Sequence, residues 1–150
     1  MIFNKNSNST INILFGTQSG NAEDVAENAS NILTTNGLTT KVLELDDVGM
    51  NELSVMENVL VVISTFGMGE MPNNAQDFWE DINSSDPPKL NNLKFSVFAL
   101  GDSGHYDFCN AGKLIDNKFQ ELGGTKLLDR IDCDVEFEEP FNNWIKLILS

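Results

Sequence analysis

Apolar residues occur along this chain in two alternating rhythms: short continuous runs, and longer stretches in which they return at i, i+3 and i+4. Runs at Ile11 to Phe15, Val59 to Ser64 and Phe95 to Leu100 read as strands. The β-branched run Val59-Leu60-Val61-Val62-Ile63-Ser64 has the form of a strand covered on both faces. Thr39 to Leu45 reads as an edge-like strand, and Lys126 to Ile131 as a fifth. Between the runs the helical rhythm takes over. Ala22, Val25, Ala26, Ala29, Ile32 and Leu33 share one face of a helix over Ala22 to Asn36, which Asn36-Gly37 ends. A weaker helical stretch covers Asp47 to Glu57. Ala75, Phe78, Trp79 and Ile82 face one way between Asn74 and Asn83, as do Leu114, Ile115, Phe119 and Leu122 between Ala111 and the stop at Gly123-Gly124. Phe141, Trp144, Ile145 and Ile148 mark a last helix, and Trp79 and Trp144 both read as core. Pro87-Pro88 punctuates a loop, and no repeat or internal linker appears.

Strands that alternate with helices predict an α/β domain with a parallel sheet and right-handed crossovers. The 150 residues are enough for one domain that buries about two-thirds of its unfolded surface. We expect a disordered lead-in over residues 1–9, rich in Asn and Ser and without the apolar core of a signal peptide, and a folded domain over 10–150. No run approaches the about 18 apolar residues that span a membrane. Nine basic against 23 acidic residues give a net charge of −14. Such a field disfavours nucleic acid and anionic lipid and favours a basic protein partner. Two cysteines, Cys109 and Cys133, are too few for a disulfide framework and are not spaced as metal ligands, so each reads as a buried thiol in a reducing compartment, the cytoplasm.

Ligands of parallel sheets bind beyond the carboxyl ends of the strands. Three loops in that position are compositionally odd. After the first strand, Thr17, Ser19 and Asn21 offer donors, Gly20 lets the backbone approach closely, and the amides of the next helix point outward. Asn21 stands where a nucleotide-triphosphate loop needs lysine, so a single phosphomonoester is the expected ligand group. After the third strand, Ser64-Thr65-Phe66-Gly67-Met68-Gly69-Glu70 places an aromatic residue before two glycines, suited to a planar ring. After the fourth, Gly101-Asp102-Ser103-Gly104-His105-Tyr106-Asp107-Phe108-Cys109 holds the chain's single histidine and single tyrosine. No Ser or Cys nucleophile near that histidine has an activating pattern.

Gln18-Ser19-Gly20-Asn21-Ala22, Ser64 to Glu70, Asn74-Ala75-Gln76-Asp77-Phe78 and Leu100-Gly101-Asp102-Ser103 occur in the order and spacing of the flavodoxins. The match is strongest to the flavodoxin-like FMN domains of diflavin reductases, notably the sulfite reductase flavoprotein. Phe108 to Lys113, Glu121 to Gly124 and Leu128 to Glu136 extend the resemblance, which covers residues 10 to 149. It implies a three-layer sandwich with a five-stranded parallel sheet of order 2-1-3-4-5, helices on both faces, and noncovalent FMN. Carried over, Thr17, Gln18, Ser19, Gly20, Asn21 and Ala22 would hold the phosphate. Ser64, Thr65, Phe66, Gly67 and Gly69 would meet the isoalloxazine from one side; Leu100, Gly101, Asp102, Phe108 and Cys109 would line the other. Some relatives carry the stacking tyrosine where this chain has His105, others where it has Tyr106; Tyr106 is favoured, with His105 at the rim. The fifth strand runs straight into the acidic loop Asp132 to Glu139, leaving no room for the insertion of long-chain flavodoxins, so the chain looks like a short-chain member without fused reductase modules.

The resemblance implies an electron carrier and not an enzyme: a monomer that shuttles single electrons between an NADPH-dependent flavoprotein reductase and an acceptor protein with basic docking faces. A carbonyl at Gly67 turned toward the ring would add one hydrogen bond to the half-reduced flavin, and an acidic pocket would oppose full reduction. Two other readings compete. A small FMN-dependent oxidoreductase, such as a quinone reductase, would need length for a substrate pocket. A phosphorelay receiver would need acids where Gly16-Thr17 and Ser64-Thr65 stand. If Tyr106 covers the ring, Tyr106→Ala weakens FMN binding by about 0.5–1.5 kcal/mol beyond its buried area and raises the potential of the second reduction, while His105→Ala does much less. Flavin titration and potentiometry of the two variants decide it, and the reverse ranking moves the assignment to His105.

Overall fold

The computed structural model describes residues 1–3, 10–66, 69–102, 104 and 108–150. Strands β1 (Ile11–Gly16), β2 (Thr40–Glu44), β3 (Asn58–Ser64) and β4 (Lys94–Leu100) pair in parallel, in the order β2-β1-β3-β4. Helices α1 (Asn21–Thr35), α2 (Met50–Val55), α3 (Gln76–Ile82) and α4 (Asn110–Glu121) connect them, and α5 (Glu138–Leu149) closes the described chain.

Alternation of side chains along each strand sorts the core into two halves. Val59, Val61 and Ile63 of β3 join Leu53 of α2, Phe78 and Ile82 of α3, and Ile115 and Phe119 of α4 on one face. Leu60 and Val62 join Val25, Ala29 and Leu33 of α1, and Trp144 and Ile148 of α5, on the other. Burying each such side chain contributes about 1.5–3 kcal/mol, enough to select this three-layer arrangement. Trp144 is fully buried, stacks at 4.9 Å on Phe98, and donates its indole N–H to Ser96 Oγ at 2.8 Å, so the polar hydroxyl inside β4 is satisfied. Trp79 is only half-buried at the rim of the other half. Asp46, in a 3-10 turn after β2, accepts the Phe78 N–H at 2.9 Å and so caps α3 from a different element.

The fifth strand departs from expectation. Instead of one strand over Lys126 to Ile131, the chain forms β5 (Thr125–Lys126) and β6 (Ile131–Cys133), both parallel to β4, and the sheet has six strands. Lys126 faces Phe95 and Ile131 faces Phe98, so the stretch between carries two residues more than β4 does and must bulge out. The bulge lets Arg130 reach two acids: Asp132, through Nε at 2.7 Å and Nη2 at 3.2 Å, and the buried Asp116 of α4 at 3.2 Å. The lead-in also differs at its start. Phe3 is buried in the second half of the core and the Ile2 N–H donates to the Ile148 carbonyl at 3.0 Å; residues 4–9 lie outside the described ones.

The packing of α4 on β4 rests on Gly112, where an added Cβ would sit 2.4 Å from the Ala99 Cβ. Gly112→Ala therefore forces helix and strand apart, and urea denaturation is expected to show a loss of about 1–3 kcal/mol.

Candidate functional site

Parallel pairing brings the carboxyl ends of β1, β3 and β4 to one edge, and the loops that leave them lock together. Gly20, at φ +91° before α1, makes the left-handed turn that ends the first loop. Thr17 Oγ1 accepts the N–H of Gly20 at 3.1 Å and of Ala22 at 3.5 Å. The Thr17 N–H in turn donates to Asn74 Oδ1 at 2.7 Å, and the Asn73 N–H donates to Gln18 Oε1 at 2.9 Å. In the second loop Phe66 and Glu70 exchange backbone hydrogen bonds of 2.9 and 2.8 Å across a tight hairpin. The Thr65 N–H donates to the Leu100 carbonyl, and Thr65 Oγ1 accepts the Ala111 N–H at 3.1 Å. In the third, the Gly101 N–H donates to the Cys133 carbonyl at 2.9 Å, and Asp102 Oδ1 accepts the Gly104 N–H.

These loops wall a cavity of about 520 Å³, within the roughly 300–1,000 Å³ usual for small-ligand sites. Gln18, Ser19 and Asn21 line its polar end at the start of α1. Thr65, Phe66, Leu100 and Gly101 line the middle, with Ser64 at the strand end and Asp102 beyond it. A larger depression of about 910 Å³ lies along α5 beside Glu136, Glu138, Asn142 and Lys146, away from the loops after β1, β3 and β4.

Nine of the residues singled out from sequence thus share one cavity. Thr17, Gly20 and Ala22 stand behind it and shape the first loop. Phe108 packs near Gly101, where an added Cβ would lie 3.2 Å from Phe108 Cδ1. Cys109 is fully buried beneath Gly101 at φ 57°, and its thiol bonds the carbonyls of Ala99 at 3.6 Å and Cys133 at 3.7 Å. Gly69 is buried in the hairpin. Gly67, His105 and Tyr106 lie outside the described residues.

A fourth segment, after β6, completes the wall: Asp134, Val135 and Phe137 line the cavity. From sequence this segment reads as an acidic loop that extends the flavodoxin resemblance, with none of its residues assigned to the site. The signal was there, because Val135 and Phe137 alternate with acids directly after a strand, and Val135 is 64% exposed. Together with Phe66, 40% exposed, it leaves apolar surface uncovered at the cavity rim.

The chain matches the flavodoxin family model over residues 13–144. It is a member of the flavodoxin family. The sulfite reductase [NADPH] flavoprotein alpha-component of Bacillus subtilis is 42% identical over 140 residues, which are 93% of this chain and 23% of that protein. The protein of the same name from Vibrio parahaemolyticus is 38% identical over 93% of this chain and 22% of its own length. The chain thus spans about a quarter of these curated relatives. Among solved structures, a mutant flavodoxin from Pseudomonas aeruginosa superposes with a TM-score of 0.80 at 33% identity, covering 93% of this chain and 95% of that one. A flavodoxin from Streptococcus pneumoniae TIGR4 gives 0.79 at 27% identity, covering 93% and 94%. The parallel 2-1-3-4-5 order is the flavodoxin order, and only residues 127–130 separate β5 from β6, as suits a short-chain flavodoxin.

The cofactor of flavodoxins is FMN and their role is electron transfer. The cavity suits that cofactor in its chemistry. At one end hydroxyl and amide donors meet the positive end of the α1 dipole without lysine or arginine, a setting for one phosphomonoester. Away from that end Phe66, Leu100, Val135 and Phe137 offer apolar surface for a planar ring. The nearby thiols are inert by contrast. Burial, with Asp132 adding negative charge, pushes both Cys109 and Cys133 from 9.0 up to about 12. Their thiolate fraction at mildly alkaline pH is then about a thousandfold below that of an ordinary cysteine. Iodoacetamide is expected to leave both unmodified in the folded protein and to label both after denaturation, read by mass spectrometry.

Proposed function

We propose that this chain carries single electrons between an NADPH-dependent flavoprotein reductase and an acceptor protein, with FMN in the cavity at the strand ends, and has no turnover of its own. The observation that carries this reading is the joining, in one cavity, of a cation-free donor cluster at the start of α1 with an apolar slot. FMN, when bound, supplies one- and two-electron redox chemistry. The residues determine how it is held and how far it is reduced. Ser19, Asn21 and the first amides of α1 would bind the phosphate, and Thr17 would hold the loop in the shape that presents them. Phe66 and Gly101 would bound the ring on either side. The carboxylates of Asp102 and Asp134 at the cavity raise the energy of any added negative charge, which favours stopping short of full reduction.

Partner choice follows from charge. With a net charge of −14 and Asp102, Asp132, Asp134 and Glu136 around the same edge, a basic face on the partner is attracted over long range. The reductase and acceptor classes are supported by the names of the curated relatives, which are NADPH-linked flavoproteins. A cytoplasmic setting is supported by two free buried thiols, and no helix of the described residues is long and apolar enough to cross a membrane.

The protein reconstituted with flavin is expected to hold one FMN per chain, identified by chromatography after heat release; FAD in its place, or no uptake of FMN, would sink the assignment. Steady turnover of a quinone without any partner protein would replace the carrier with an enzyme. The reduced protein should pass electrons to cytochrome c, a basic one-electron acceptor, at a rate that falls as salt rises, most steeply before the Debye length reaches about 3 Å near 1 M. A rate flat across that range means the acidity serves solubility alone.

A further inference from the structure

Asn110 is the first residue of α4, and its Nδ2 donates to the carbonyl oxygen of Gly69, 41 residues earlier, at 2.8 Å. The partner decides the orientation of this amide: a carbonyl demands a donor, so the NH₂ and not the oxygen must face it. Gly69 is buried, and it belongs to the hairpin whose ends, Phe66 and Glu70, exchange both backbone hydrogen bonds. Phe66 is a wall of the cavity.

The setting of Asn110 is costly and specific. Cys109, just before it, is the only non-glycine residue with positive φ among those described, at 57°. Such a conformation is strained and persists where surrounding contacts over-determine it. Here the Cys109 thiol is fastened to the carbonyls of Ala99 and Cys133. That turn aims the start of α4 at the second loop, and two successive residues bond it: Asn110 to Gly69, after Phe66, and Ala111 to Thr65, before it. The hairpin is therefore gripped on both flanks by one helix end. The same helix follows the loop that begins at Gly101, on the opposite wall.

We propose that Asn110 is a positioning residue: by holding the Gly69 carbonyl against α4 it fixes the Phe66–Glu70 hairpin relative to Gly101, and so sets the width of the ring slot, the affinity for FMN and the spacing of its two potentials. This rests on the FMN reading above. A loosened hairpin lets Phe66 cover the ring less closely and leaves the slot between Phe66 and Gly101 less well defined. Both losses weaken binding and change how each stage of reduction is stabilised.

The test compares Asn110→Ala, Asn110→Asp and Asn110→Gln with the wild-type chain. Asp keeps the shape and removes the donor; Gln keeps the donor on a longer arm. In the free chain, amide exchange at Phe66 and Glu70 should quicken up to about tenfold in the Ala and Asp variants, the equivalent of one hydrogen bond, while Val61 in β3 is unchanged. In the loaded chain the dissociation constant for FMN should rise about threefold to tenfold. The separation of the two one-electron midpoint potentials should narrow by up to about 59 mV, which is tenfold for one electron. Gln should restore most of each quantity. Exchange, affinity and potentials unchanged in Ala overturn the proposal, as does Asp behaving like wild type, or faster exchange with neither affinity nor potentials altered. A wild-type chain that takes up no FMN overturns the functional reading instead, and the exchange comparison on the free chain then remains the test of the restraint. If Ala fails to fold, the near-isosteric Asp variant carries the same comparison.

Discussion

β3 is buried along nearly its whole length, with Val59, Leu60, Val61, Val62 and Ile63 all without exposure, and β4 beside it is almost as dry. A strand covered on both faces has no room for chemistry, because an unpaired polar side chain there costs several kcal/mol. Ser96 is tolerated only because the Trp144 indole meets it. Every group able to bind a ligand is therefore expelled to the strand ends, and parallel pairing brings the ends of β1, β3 and β4 to the same edge. The site is a product of that exclusion.

What keeps the expelled loops in register is a small set of hydrogen bonds between them. Asn74 and Asn73 tie the third crossover to Thr17 and Gln18; Thr65 and Gly69 are tied to the start of α4; Gly101 is tied to Cys133. Each contributes about 1 kcal/mol and none is in the hydrophobic core. Together they join four separate turns into one cavity wall, and each restraint already made lowers the ordering free energy that opposes binding.

Local pattern carried the fold a long way. The three inner strands and α1, α4 and α5 follow from periodicity, since each is amphipathic or wholly apolar, and nine of the residues named from the motif loops line one cavity. The rest depends on contacts distant in sequence. The break between β5 and β6 is a mismatch of length against β4, visible only once Lys126 and Ile131 are paired with their partners. Phe3 is buried in the same half of the core as Ile148, near the other end of the described chain, so its Asn- and Ser-rich surroundings gave no sign of it. Val135 and Phe137 stand among acids, and their role depends on a cavity made largely by other loops.

The interruption of the outer strand bears on how the protein behaves in a crowded solution. A sheet edge with a long row of unsatisfied amides and carbonyls is a template for another chain. On this side the edge is broken into two residues and three, separated by a bulge that carries the fully exposed Asp129. On the other side, β2 presents Lys41 and Glu44 along a strand of five. A strand approaching the β5–β6 side would find no continuous ladder, and one approaching β2 would meet charged groups along a short strand. The two-residue excess between Lys126 and Ile131 thus leaves this edge a poor template for strand addition while it holds Arg130 to α4.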